Sequence, residues 1–186
     1  YTKFLTDLKK YRSKYLKKAH LESDESATRI MVNFLLSRVF GFEELEEIKT
    51  EYAIRGTYVD YLVQSNKKVH FIVEVKAISI DLTDKHLRQA IGYCANEGID
   101  WVLLTNGRQF ELYKVIFAKP IDYKRVFKYD LTDIKEMKKA GVDLQMLTKK
   151  MVEKGALDKF WDRFEAMRPQ NLSKDLYSAE ILRFLK

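Results

Sequence analysis

The residues best suited to chemistry lie in two short runs, 57–64 (TYVDYLVQ) and 69–76 (VHFIVEVK). Side chains alternate between the two faces of a strand. In the second run the odd positions, Val69, Phe71, Val73 and Val75, are all apolar. The even positions hold His70, Ile72, Glu74 and Lys76. One face therefore belongs to a core, and the other sets an acid beside an amine. The first run has the same parity, with Val59, Tyr61 and Val63 on one side and Tyr58, Asp60, Leu62 and Gln64 on the other. A hairpin turning about Lys67 brings Asp60 opposite Glu74 and adds Val59 and Val63 to the apolar face. A slip of one residue would send the two acids to opposite faces. Facing carboxylates repel and raise at least one pKa unless a cation stands between them. A hard divalent ion held through oxygen relieves that repulsion, and Mg²⁺ is the usual ion where phosphate is the substrate.

The surrounding pattern supplies elements to position these groups. Residues 2–20 carry apolar side chains at helical spacing, with seven basic residues and the single acid Asp7 between them. This predicts an amphipathic helix whose basic face is either solvated or in contact with phosphate. Ser23 or Asp24 caps a second helix over 24–39, which Gly41 ends. Strands follow at 48–54, 57–64 and 69–76, with turns at Arg55-Gly56 and Ser65–Lys68. A helix over 83–97, capped by Thr83 or Asp84, closes near Gly98. Strands at 101–105 and 109–115 flank Asn106-Gly107, a hairpin pair because both residues tolerate positive φ. A further strand lies around 125–130. Helical spacing then takes over near 131–140, 142–154, 156–167 and 175–185, with Pro169 and Asn171 between the last two. The expected organisation is a core over 1–130 and a helical extension over 131–186.

Asp60, thirteen intervening residues and then Glu74-Val75-Lys76 resemble the signature of the PD-(D/E)xK nuclease superfamily. The order of a helix bearing Glu25, the hairpin and the 83–97 helix is similar to that superfamily's core. Within it, the chain most resembles the N-terminal nuclease domain of the motor subunit of type I restriction enzymes. Glu25 with Thr28-Arg29, the QxxxY element Gln89–Tyr93, and Leu104–Gly107 ahead of Leu112-Tyr113 carry that likeness, which covers about residues 20–130. Val59 stands where a proline is common in the motif. No GxxxxGK[ST] phosphate loop is present, so this stretch holds no motor.

The resemblance implies an α/β fold, a restriction-endonuclease-like core with a mixed central sheet flanked by helices. It also implies a metal-dependent endonuclease hydrolysing phosphodiester bonds in DNA, in a restriction, defence or mobile-element setting. Asp60 and Glu74 would hold Mg²⁺, with Mn²⁺ able to replace it, helped by Glu25 and the carbonyl of Val75. The ion would lower the pKa of a bound water and neutralise the phosphate. Lys76 would position the attacking water or stabilise developing negative charge. Gln89 would support the site and contact DNA, Tyr93 one turn on could reach the same site, and Arg29 would likewise serve DNA binding or site support. Expected partners are DNA and either a second copy of the chain or restriction-system subunits. The alternative is a catalytically silent module that binds nucleic acid or protein on the same fold.

Each residue also has an ordinary structural explanation. Glu25 suits a first helical turn and could pair with Arg29. Lys76 could blunt a strand end, and Asp60 could serve a local turn or salt bridge. Gln89 could face solvent and Tyr93 could pack beside Leu87 and Ile91. His70 is expected to be satisfied locally and Cys94 to be a small buried apolar residue. Phe160, Trp161 and Phe164 are expected to form a packing seam rather than a base-stacking platform for nucleic acid, and could also form a dimer contact.

Composition narrows the classes further. In 186 residues, 46% are apolar and 13% aromatic, enough for a core and unlike a disordered chain. Thirty-four basic residues against 27 acidic give +7, which favours a polyanionic partner. One cysteine and three dispersed histidines exclude a disulfide framework and argue against zinc, which fits a reducing, cytoplasmic setting. No apolar run nears the roughly 20 residues that span a bilayer, so no membrane partner is expected. The chain begins at Tyr1 rather than methionine, as a piece of a longer protein would.

Overall fold

The computed structural model describes residues 2–54 and 57–168. Helix α1 (Thr2–Tyr15) and helix α2 (Glu25–Phe34) precede the strands β1 (Ile48–Ile54), β2 (Thr57–Ser65) and β3 (Lys68–Val75). Helix α3 (Asp84–Glu97) crosses over to β4 (Trp101–Thr105), which is followed by β5 (Gln109–Ile116) and β6 (Asp122–Asp130). The helices α4 (Ile134–Asp143), α5 (Lys149–Val152) and α6 (Ala156–Ala166) follow. The strands form one sheet in chain order, β1 to β6, with β3 and β4 parallel and the other neighbours antiparallel. A mixed sheet flanked by helices is the α/β fold that the resemblance implies.

Each face of the sheet buries its own cluster. On one, Val73, Val75, Leu103 and Phe110 pack against Leu8 and Tyr11 of α1, Met31 and Val32 of α2, and Met137 and Leu157 of the later helices. On the other, Leu62, Ile72, Val102 and Leu104 meet Leu87, Ala90, Tyr93 and Cys94 of α3. Side chains of both parities in β3 and β4 are therefore apolar, as a parallel pair covered on two sides requires. Trp161 stacks on Phe164 at 5.6 Å and meets Trp101 edge-on at 6.4 Å, so this aromatic seam packs onto the sheet.

Several elements differ from expectation in ways that have local causes. The first helix ends at Tyr15, and a 3-10 turn at Lys18–His20 follows. Helix α2 converts to a π-helical turn over Leu35–Val39 before Gly41, at φ +85°, stops it. The segment 142–154 breaks into a 3-10 turn at Leu144–Leu147 and the single turn α5, because Thr148 between them is extended. The sixth strand begins at Asp122, earlier than its apolar residues suggest. The turn expected at Arg55-Gly56 and the helix expected over 175–185 lie outside the described residues.

The β2–β3 register is the one that matters. The turn is made by Asn66 and Lys67, at φ +50° and +62°. A bulge between Val63 and Gln64 then shifts the pairing by one residue. Beyond it Val63 pairs with Phe71, Leu62 with Ile72 and Tyr61 with Val73, so the next step brings Asp60 to Glu74. One expectation about faces is corrected. Val59 packs with Leu62 and Ile72 in the α3-side cluster, whereas Tyr61 and Val63 lie in the other. The alternation slips at Asp60 and at its opposite number in β1, Glu51, which sits at φ +47° between the pairs Thr50–Tyr61 and Tyr52–Val59.

The β4–β5 connection also differs from a two-residue turn. Gly107 alone takes positive φ, +82°, while Asn106 is fully buried. The Asn106 Oδ1 accepts from the main-chain N–H of Arg108 (3.2 Å) and Gln109 (2.7 Å). A Cβ on Gly107 would stand 3.3 Å from Thr28 Cγ2 and 3.4 Å from the Tyr11 hydroxyl. Gly107→Ala is expected to lower stability by about 1–2 kcal/mol from the left-handed backbone, with crowding added. A urea midpoint measured by circular dichroism checks this; an unchanged midpoint would mean the loop relaxes freely.

Candidate active site

The site is assembled at the end of the sheet where β3 finishes and β2 begins. Asp24 caps α2 by accepting from Ala27 N at 2.8 Å, and the helix then carries Glu25 and Arg29 one turn apart. Thr28, wholly buried between them, donates to the Asp24 carbonyl (2.8 Å) and accepts from Ile78 N (3.0 Å). That second bond ties the helix to the segment leaving β3. The same segment is held by Arg108, which donates to the Ile78 carbonyl at 3.1 Å, and by Asn106, which donates to the Ile80 carbonyl at 2.7 Å. Lys76 N continues the ladder onto the Thr105 carbonyl at 2.9 Å. The segment from Lys76 to Ile80 is thus held by α2, β4 and the β4–β5 loop.

The charged side chains form one network. Asp60 accepts from the Arg29 guanidinium through Oδ1 and from Val75 N through Oδ2 at 2.7 Å. Arg29 also reaches Glu25 at 3.3 Å and Glu51 at 3.2 Å, and its carbonyl accepts from the Tyr61 hydroxyl at 2.9 Å. Lys76 Nζ lies 2.6 Å from Glu74 Oε1 and 4.0 Å from Glu25 Oε2. Among the described residues, four carboxylates therefore share two cations.

Electrostatics follow from depth. Glu74 is 3% exposed and Asp60 9%, whereas the Glu25 side chain is 40% exposed. Burial pushes the Glu74 carboxyl above its ordinary value. Asp60 and Glu25 add to the rise, and the hydrogen bond and charge of Lys76 pull against it. Burial alone would lower Lys76, but Glu74, Glu25 and Asp60 outweigh it, so the amine is raised and stays protonated. Arg29 behaves alike, its burial overcome by Asp60, Glu25 and Glu51.

Glu25, Arg29, Asp60, Glu74, Val75 and Lys76 are therefore brought together. Gln89 joins them indirectly, since its amide donates to the Tyr58 carbonyl at 3.1 Å and braces β2 two residues from Asp60. Tyr93 does not join them. It is 1% exposed within the α3-side cluster, and burial, then Glu97 and Tyr52, push its phenol up. Three participants escape the sequence reading: Glu51, Thr28 as a hydroxyl pin, and Arg108. His86 also feels this site, since burial, Lys76 and Lys85 lower it while Glu25 raises it. His70 is satisfied by Ser65 at 2.7 Å, as expected, and Cys94 is buried.

Hard oxygen donors on Asp60, Glu74 and Glu25 suit a divalent ion in chemistry. As arranged, though, no three His, Cys, Asp or Glu side chains among the described residues are grouped to hold one. Arg29 stands on Asp60 and Glu25, and Lys76 stands on Glu74. No helix among the described residues is long and apolar enough to cross a membrane.

No curated protein and no solved structure matches the chain. A family model does, that of the type I restriction enzyme R protein N terminus, over residues 24–125. The matched stretch opens one residue before Glu25 and runs through β2, β3, α3 and the β4–β5 hairpin, so it contains every charged group of the network. It is also more than half of the 186 residues, and the chain accordingly belongs to the family of type I restriction enzyme R protein N termini.

Proposed function

We propose that the chain is the nuclease module of a restriction enzyme, hydrolysing phosphodiester bonds within DNA with the help of Mg²⁺. The observation that carries this reading is the convergence of Glu25, Asp60, Glu74 and Lys76 at one end of the sheet. Asp60 and Glu74 would hold the ion with the Val75 carbonyl, and Glu25 would complete the set; Mn²⁺ would serve in its place. Such an ion supplies a bound water of lowered pKa and neutralises charge on the phosphate.

The chain's own groups account for the rest. In hydrolysis a water oxygen bonds to phosphorus, the opposite P–O bond breaks, and the departing oxygen gains the proton that the water loses. Lys76 is protonated, because its acidic neighbours outweigh its burial, so it acts as a hydrogen-bond donor rather than a base. From beside Glu74 it orients the attacking water or stabilises the charge that develops on the phosphate oxygens. Asp60 fixes the strand end by accepting from Val75 N, which steadies the neighbouring carbonyl. Gln89 keeps β2 in place through Tyr58 and can turn its exposed end to the duplex. The net charge of +7 aids association with DNA. The module works with the other subunits of a restriction enzyme, in the cytoplasm where such DNA is met. A second reading, a silent binding module, draws on one observation: Arg29 already occupies Asp60.

Plasmid nicking with Mg²⁺ or Mn²⁺, against a chelator control, separates the two. Lys76→Ala is expected to slow nicking roughly 10²–10³-fold, as loss of a donor to developing charge does, with the fold unchanged by circular dichroism. Asp60→Ala should abolish the metal-dependent product. Nicking that persists in both variants would refute the assignment, and salt-sensitive binding without any nicking would favour the silent module.

The coupled charges give a pH prediction as well. In a carbon-detected titration of the metal-free chain, Glu74 should ionise above 4.5, its ordinary value. Lys76→Met removes a group that holds Glu74 down, so its midpoint should move further up. Asp60→Asn removes a group that pushes it up, so the midpoint should fall. Opposite signs from either variant would mean that these side chains do not share a site.

A further inference from the structure

Arg29 is the most heavily engaged cation of the network. Its guanidinium contacts Asp60, Glu25 and Glu51 at once, and two of these are carboxylates assigned above to the ion. A guanidinium keeps its charge and spreads it over a planar fork, so one arginine can neutralise several acids together. It does so here at some expense to itself. The Arg29 Nε is buried and has no acceptor among the described residues. The side chain is nevertheless a third exposed, so it has a way out toward solvent. Glu51, 73% exposed and outside the proposed donor set, offers it a second resting place.

We propose that Arg29 is a placeholder counter-ion: it neutralises Asp60 and Glu25 in the ion-free chain and yields them to a divalent ion, retreating to Glu51. The proposal rests on the metal-dependent reading above. It explains why, among the described residues, carboxylates of suitable chemistry are nevertheless not grouped around an ion position. It also gives Glu51 a purpose, since this acid is paired with Arg29 and is held at positive φ where it meets it. The arginine thereby competes with the ion, lowering its affinity while keeping the acids from repelling one another in its absence.

The test uses the full chain, stripped by chelator, with Mn²⁺ as the probe. Free Mn²⁺ is read by electron paramagnetic resonance and unfolding by circular dichroism. Arg29→Gln is expected to bind Mn²⁺ about tenfold tighter, the loss of one charge-assisted competitor being worth roughly that factor. Without Mn²⁺ it should melt below the wild type, and at saturating Mn²⁺ its melting temperature should rise by more than the wild type's. Arg29→Lys, which keeps the charge but not the fork, should bind more tightly than wild type and less tightly than Arg29→Gln. Equal or weaker Mn²⁺ binding by folded Arg29→Gln overturns the placeholder role while leaving the metal site standing. A wild type that binds no Mn²⁺ overturns the metal-dependent reading itself and the placeholder with it. If Arg29→Gln does not fold without metal, Arg29→Lys decides: tighter binding than wild type supports the role, and equal or weaker binding removes it.

Discussion

A single carboxylate joins the parts of the molecule that matter. Asp60 leaves β2, accepts the main-chain N–H of Val75 at the end of β3 with one oxygen, and meets Arg29 of α2 with the other. Without the first bond, the two strands would lose contact just where Glu74 and Lys76 must be held, because regular pairing is last seen at Tyr61–Val73. Without the second, the charged tie from Arg29 of α2 to the sheet would rest on the exposed Glu51 of β1. A buried acid is costly unless its lone pairs are met, and here both oxygens are. The remaining charges are arranged around that fixed point: Lys76 covers Glu74, and Glu25 lies between the two cations.

The backbone slip at Glu51 and Asp60 belongs to the same construction. Strict alternation would put the Asp60 side chain on the α3 side with Leu62. The slip, shared by both strands, instead lets Glu51 and Asp60 reach Arg29 on α2 while Val59 turns toward α3. A glutamate at positive φ is unfavourable, by about 1–3 kcal/mol for such backbone strain. It persists because the pairs on either side, Thr50–Tyr61 and Tyr52–Val59, hold the strand ladder in place. Strain of this kind collects where a fold must aim side chains against its own periodicity.

Much of this was legible in the residues. The parity of 57–64 and 69–76 carries the β2–β3 register as far as Tyr61–Val73, because a period of two leaves few registers and the polar Ser65–Lys68 stretch fixes the turn. It does not carry the face of Asp60, where the alternation slips. The reading succeeds through a compensation it does not foresee: the turn sits at Asn66-Lys67, and the bulge at Val63/Gln64 restores the register. Glu51 was not legible, since in IKTEYAI it looks like any solvent-facing strand residue and its conformation is imposed by its neighbours. Tyr93 illustrates the limit of helical spacing. It shares a face with Gln89, but one turn carries it about 6 Å along the axis and into the cluster beneath α3. Asn106 is similar, for its sequence suits a tight turn while its side chain is used as a buried hydrogen-bond hub.

The contact between Tyr11 and Gly107 has a consequence for where this unit ends. The phenol of α1, wholly buried, donates to the Gly107 carbonyl at 2.7 Å, in the loop whose Asn106 and Arg108 brace the segment carrying Lys76. Arg12 adds bonds to the carbonyls of Leu131 and Thr132 at 2.8 and 2.9 Å, beyond β6. Both tyrosine and arginine precede the stretch that matches the family. The stretch that matches the family is therefore shorter than the set of residues packed around its charged groups, and a fragment trimmed to residues 24–125 would keep the acids while discarding the phenol that braces the loop beside their lysine.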